Sequence, residues 1–107
     1  MTTYGLPLHT TEAIRQIFSK HEKIDKVVLY GSRAKGNYKT GSDIDLVLVG
    51  KSLSLSELFQ IENELDDLLL PYKIDLSIFH QLDNPDLISH IQRKGVVFYK
   101  KQTTAQS

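Results

Sequence analysis

Two stretches of this chain alternate between apolar and polar positions, and both place aspartate on the polar side. From Asp43 to Val49, Ile44, Leu46 and Leu48 fall on one face and Asp43, Asp45, Val47 and Val49 on the other. From Lys73 to Phe79, Ile74, Leu76 and Ile78 oppose Asp75 and Ser77. A side-chain period of two is that of a β-strand. Between the two strands the period changes. Ser54 and Glu57 stand at the spacing of a capping box, and Leu58, Ile61, Leu65 and Leu68 form a helical stripe. Glu62, Glu64, Asp66 and Asp67 face water, and Pro71 predicts a stop at about Leu70. Strand, helix and strand in that order suit a crossover connection.

The flanking sequence extends the pattern. Thr10 to His21 places Ala13, Ile14, Ile17 and Phe18 at helical spacing, with Thr10 expected as N-cap and Glu12 in the first turn. Lys26 to Tyr30 is a short apolar, β-branched run that reads as a buried strand ending at Gly31. Gly31 to Gly41 is turn-rich, with a single helical turn expected near Arg33 to Lys35. Asn84, Pro85 and Asp86 read as N-cap, first helical position and first-turn acid of a helix through Arg93, stopped by Gly95. Val96 to Tyr99 completes the series as a strand. The short link between the first two strands favours an antiparallel pairing. The expected fold is therefore α/β (α+β), a mixed sheet of about four strands flanked by helices. With 107 residues, against ~100–200 per domain, one domain over residues 1–99 is expected, followed by a frayed polar tail over residues 100–107.

Thirteen Lys and Arg balance thirteen Asp and Glu, which argues against a general nucleic-acid coat protein or a polybasic membrane binder. The balance is uneven along the chain. Met1 to Ser42 has seven bases and three acids, Asp43 to Leu87 two bases and ten acids, and Ile88 to Ser107 four bases and no acids. Cysteine is absent, which excludes disulfides, thiolate metal sites and a Cys nucleophile. No basic-then-apolar leader and no membrane-length apolar run are seen, so a cytoplasmic setting is expected. His9, His21, His80 and His90 show no metal-ligand spacing and read as surface or capping residues.

The stretch Gly31-Ser32-Arg33-Ala34-Lys35-Gly36 lacks the Lys-Ser/Thr ending of a P-loop, since Asn37 and Tyr38 follow it. It also lacks the second glycine of a dinucleotide fingerprint, because Arg33 stands there. What remains is a Gly-Ser turn at a strand end, where N–H groups and a hydroxyl can hold phosphate. Asp43 and Asp45, two apart in a strand, point the same way, and Asp75 lies in a similar strand. If the strands are neighbours in register, three carboxylates share one patch beside the turn. Oxygen-only ligands in this number suit Mg²⁺ or Mn²⁺ together with a substrate's phosphates. The plainer alternative is a solvated acidic sheet face.

Taken together, Gly31-Ser32-Arg33-Ala34-Lys35-Gly36, a short spacer, Ser42-Asp43-Ile44-Asp45-Leu46 and the later Asp75 resemble the nucleotidyltransferase superfamily related to DNA polymerase β. Within it the chain is most similar to the minimal nucleotidyltransferases (MNT) that are paired with HEPN-domain toxins. The resemblance implies a mixed sheet flanked by helices, a nucleoside triphosphate with Mg²⁺, and transfer of a nucleoside monophosphate to a hydroxyl. It implies that Gly31 and Ser32 hold the triphosphate tail, that Asp43 and Asp45 ligate metal, and that Asp75 completes the triad and helps activate the acceptor. Ser42 would orient its neighbour or the loop. Arg33 would meet phosphate charge, while Lys35 reads equally well as a solvated loop cation.

Larger members of the superfamily add a helical domain that receives the acceptor, whereas only about eight residues follow the last expected strand here. A helical HEPN partner in trans, ATP as donor and a tyrosine of the partner as acceptor follow from the resemblance. Two rival readings stand beside it: an antitoxin that neutralises by occlusion alone, and nucleotidyl transfer to a small molecule. Tyr30, Tyr38 and Tyr72 could stack on a base, but packing or partner contact is the simpler reading.

Overall fold

Four strands form one sheet in the order β5-β4-β3-β6, in a computed structural model that describes residues 2–39 and 41–101. The elements run β1 (Thr2–Thr3), β2 (Leu6–Pro7), α1 (Leu8–Ser19), β3 (Lys26–Tyr30), α2 (Ser32–Lys35), β4 (Ile44–Val49), α3 (Leu55–Asp66), β5 (Ile74–Ile78), a 3₁₀ turn (Phe79–Gln81), α4 (Pro85–Lys94) and β6 (Val96–Lys100). β3 pairs antiparallel with β4 and with β6, and β4 pairs parallel with β5 across the α3 crossover. The sheet is mixed, as the alternation of elements implied.

α1 and α3 pack against one another and cover one face of the sheet. Val27 and Leu29 of β3, Ile44, Leu46 and Leu48 of β4, and Leu76 and Ile78 of β5 meet Ile14, Ile17 and Phe18 of α1 and Leu58, Ile61 and Leu65 of α3 in one core. Phe18 is fully buried and meets Phe98 of β6 edge-on at 6.3 Å. α4 packs on β3. Gly95 permits that approach, because a Cβ there would lie 2.5 Å from Val28 Cγ1. With Leu46, Val47 and Leu48 all buried, β4 is a central strand covered on both sides through its middle. No described helix is long and apolar enough to cross a membrane.

Several local expectations shift. Helix α1 begins at Leu8, not after a Thr10 cap, and has no acid in its first turn. Thr10 and Thr11 are buried inside it, and Thr11 Oγ1 donates to Leu8 O at 2.9 Å. The helix is entered from a small hairpin, β1 with β2, whose turn residues Tyr4 and Gly5 both have positive φ, 58° and 77°. Helix α3 keeps its Ser54 cap, which accepts from Glu57 N, but ends at Asp66, four residues before Leu70. Leu69, at φ 54° and 88% exposed, turns the chain away so that its neighbours Leu68 and Leu70 reach the core. β4 begins at Ile44, leaving Asp43 just outside the ladder. β6 takes in Lys100. Residues 102–107 of the expected tail lie outside the described residues.

Candidate active site

Register assembles the acidic patch. β4 lies between β3 and β5, with Tyr30 opposite Asp45 and Asp45 opposite Asp75. Directly paired residues point to the same side of a sheet, so phenol and two carboxylates form a row across three strands, on the face opposite the Leu46 core. Asp43 adds a third carboxylate from the residues leading into β4. Asp43 and Asp75 are exposed and Asp45 is half-buried. Among the described residues no ion pair involves any of the three. Burial, then the charges of Asp75 and Asp43, hold the Asp45 carboxyl above its ordinary value.

Tyr30, at the β3 end of the row, meets His90 of α4 edge-on, with ring centroids 6.4 Å apart. Burial pushes its phenol upward, against the hydrogen-bonding pull of Ser77, and the charges of Asp75 and Asp45 add to the rise. Ser77 Oγ is itself buried without a partner of ordinary hydrogen-bond geometry, so the two hydroxyls interact only weakly.

The glycine turn runs against this row. Gly31 sits at φ 80° and ψ −155°, a conformation open essentially to glycine alone, and a Cβ added there would fall on the Asp45 carboxylate. Ser32 opens the short helix α2, whose turn is closed by Lys35 N–H on Gly31 O at 3.1 Å and Gly36 N–H on Ser32 O at 3.0 Å. The first N–H groups of such a turn have no intrahelical acceptor. Ser32 is half-buried, and its hydroxyl makes no hydrogen bond among the described residues. A hydroxyl and open amides thus follow directly on the glycine packed against the Asp45 carboxylate.

Arg33, expected to meet phosphate charge, has its side chain engaged within the fold. It is 3% exposed, and its guanidinium is committed to backbone carbonyls: Nε and Nη2 donate to Ser42 O at 3.1 and 2.9 Å, and Nη1 to Tyr4 O at 2.9 Å. Its carbon lies 5.3 Å from the centre of the Tyr38 ring and 5.2 Å from that of Tyr72. A planar fork with several donors matches carbonyls at fixed positions, and here it is also flanked by two aromatic rings. Ser42 closes its own turn: its Oγ accepts from Lys39 N at 2.7 Å and its N–H donates to Lys39 O at 2.9 Å. Lys35 is exposed. The role of the Tyr4 carbonyl escaped sequence reading; a Tyr-Gly pair between two short apolar-edged segments was its faint signal.

The histidines stay out of this site except at its border. His21 Nε2 lies 2.8 Å from Glu64 Oε1, a contact that holds the Glu64 carboxyl below its usual value, and His80 Nε2 lies 3.1 Å from Leu53 O. A hollow of about 720 Å³ along α1 and β6, lined by Arg15, His21 and Phe98, and another of about 350 Å³ lined by Val28, Val49, Ile91 and Val97, both leave the aspartates out. Asp43 and Asp75 are themselves open to solvent. Among the described residues no three His, Cys, Asp or Glu side chains are already drawn together as a metal cage. An oxygen-only donor set grouped around Asp45, with no ion pair to it among the described residues, fits an ion such as Mg²⁺ that keeps waters and shares a ligand's phosphates.

Comparison with known proteins bears on this arrangement. The family model described as polymerase beta, nucleotidyltransferase, matches residues 12–104. A candidate protein adenylyltransferase of Methanocaldococcus jannaschii, MJ1217, is 35% identical over 86 residues, covering 73% of this chain and 87% of its own length. Among solved structures, a toxin–antitoxin with AMP-PNP superposes with a TM-score of 0.69 at 19% identity, over 86% of this chain and 74% of the other. A Shewanella oneidensis complex of a tri-AMPylated HEPN toxin with an MNT antitoxin gives a TM-score of 0.63 at 16% identity, over 87% and 71% of the two chains. These two structures share the fold described above.

Proposed function

We propose, because the chain belongs to the polymerase β family of nucleotidyltransferases, that it moves AMP from ATP to a tyrosine hydroxyl of a HEPN-domain partner and thereby acts as an antitoxin. The observation that carries the reading is the direct pairing of Asp45 with Asp75 in register, with Gly31 packed on the Asp45 carboxylate. That juxtaposition supports a turn that holds phosphate beside acidic residues that hold metal. The naming of the Methanocaldococcus relatives as protein adenylyltransferases supports AMP as the group moved, and the solved toxin–antitoxin complexes support a helical partner.

In this reading the Ser32 hydroxyl and the open amides at the start of α2 hold the triphosphate tail, and Ser42 fixes the turn that leads into Asp43. Asp43, Asp45 and Asp75 would hold Mg²⁺ or Mn²⁺. Such an ion, when bound, offsets charge on the phosphate oxygens as the reaction proceeds. Asp75, the exposed member of the row, accepts the proton of the incoming hydroxyl. The acceptor oxygen bonds to the α-phosphorus as the bond to the β-phosphate oxygen breaks, and pyrophosphate leaves on the Ser32 side.

Incubation of the chain with ATP labelled at the α-phosphate, Mg²⁺ and its HEPN partner tests this. Label is expected on a partner tyrosine, and Asp43→Ala is expected to abolish both transfer and neutralisation. Neutralisation that survives Asp43→Ala without transfer would replace catalysis by occlusion, and label on a small molecule with no protein acceptor would replace the partner.

A further inference from the structure

The buried guanidinium of Arg33 joins three segments that are far apart in sequence. Through Nε and Nη2 it holds the carbonyl of Ser42, the residue before Asp43, and through Nη1 the carbonyl of Tyr4 at the tip of the N-terminal hairpin. Arg33 itself belongs to α2, one residue beyond Ser32. Tyr38 and Tyr72 lie over it, from the loop after α2 and the turn before β5. The Tyr38 ring in turn occupies the space that a side chain at Gly5 would need. Every segment that delivers a site residue is thus tied to this one side chain: the glycine turn, the approach to Asp43 and Asp45, and the approach to Asp75.

We infer that Arg33 is a positioning residue that sets the glycine turn against the Asp43–Asp45 segment, and that the hairpin of residues 2–7 is a working part of the site through Tyr4 O. The hairpin precedes residues 12–104, the part matched by the family model, so nothing in that match assigns it a role. The left-handed φ of Tyr4, costly for a tyrosine, is what presents its carbonyl at the turn tip. The functional consequence rests on the reading above, whereas the structural one does not.

Two variants separate positioning from phosphate binding. Arg33→Lys keeps a cation but loses the planar fork that spans two carbonyls. Gly5→Ala leaves every candidate ligand in place and forces Tyr38 off the hairpin. Amide hydrogen exchange reads the clamp directly. In both variants the amides of Gly36, Lys39 and Ser42 are expected to exchange at least tenfold faster, with Val28 and Leu46 in the sheet unchanged as evidence of an intact fold. Exchange that stays at the wild-type rate in both would overturn the inference.

Label transfer from ATP adds the kinetic signature. Arg33→Lys is expected to lower kcat at least tenfold with KM for ATP changed less than threefold, and Gly5→Ala to act in the same direction. A rise in KM with kcat preserved, partly rescued by lysine over alanine, would make Arg33 a direct phosphate ligand instead. Absence of transfer in the wild type would refute the proposed function and leave the exchange result to decide the clamp.

Discussion

Replacing Gly31 by alanine probes how closely the turn and the acidic row are built together. At φ 80° and ψ −155° a non-glycine residue costs ~1–3 kcal/mol in backbone strain. The new Cβ would also meet Asp45 Oδ2, so the carboxylate must leave its position, at ~0.5–1.5 kcal/mol if it is driven off its rotamer. Alanine recovers ~0.4–1 kcal/mol by restricting the unfolded chain. The expected net loss is ~2–3 kcal/mol, which a domain stable by ~5–15 kcal/mol survives. Gly36→Ala is the control. It shares a positive φ, 85°, but an added Cβ there has nothing within 4 Å, so its net cost is ~1 kcal/mol or less. In urea melts followed by circular dichroism, with a slope of ~1–3 kcal/mol per molar, the midpoint should fall by ~1–2 M for Gly31→Ala and ~0.5 M for Gly36→Ala. The excess should shrink when Asp45→Ala is also present, because the atom that the Cβ meets is gone. Equal midpoints for the two glycine variants would refute the close packing of turn on carboxylate.

Two further outcomes follow from local strain and charge. Asp45 has a raised folded-state pKa, so its contribution to stability is fully present below the usual aspartate value of 3.8 and is lost as pH rises through the raised value. Asp45→Asn should therefore match wild type in acid and melt at a higher temperature near pH 7 without added metal; a lower melting temperature at pH 7 would contradict the like-charge cluster. Leu69 is left-handed and almost wholly exposed, so Leu69→Gly should raise stability by ~0.5–1 kcal/mol in the same urea assay. A loss would mean that the leucine side chain makes a contact that its exposure belies.

The parts of the fold visible in the sequence are those in which local chemistry and tertiary packing agree. Ile44 to Val49 and Ile74 to Ile78 alternate because one face meets α1 and α3, and Asn84-Pro85-Asp86 caps a helix with Asn84 Oδ1 accepting from Asp86 N and Leu87 N. The parts that escaped are those in which a long-range contact overrides a local signal. Thr10 resembles a cap but is buried in α1, since the hairpin ahead of it starts the helix three residues earlier, with Pro7 in the cap position. Pro71 resembles a stop, yet α3 ends sooner because Leu68 and Leu70 must both reach the core. The three candidate aspartates stand out by spacing, but that Asp45 and Asp75 share a face depended on the register of β4 with β5, which spacing does not give. The carbonyl contacts of Arg33 were not legible for a related reason: a cation beside a Gly-Ser turn suggests an anion contact, while its partners come from residues 4 and 42, which spacing alone does not bring together.

The central claim is that the Gly31–Ser32 turn and Asp43, Asp45 and Asp75 form one site for a metal-chelated nucleotide. Titration of the chain with Mn²⁺, followed by electron spin resonance with and without a non-hydrolysable ATP analogue, addresses it directly. Tight Mn²⁺ binding is expected only when the analogue is present, and Asp45→Asn and Asp75→Asn should each weaken it at least tenfold. Mn²⁺ binding that is indifferent to the analogue, or that persists at wild-type strength in both variants, would contradict the account.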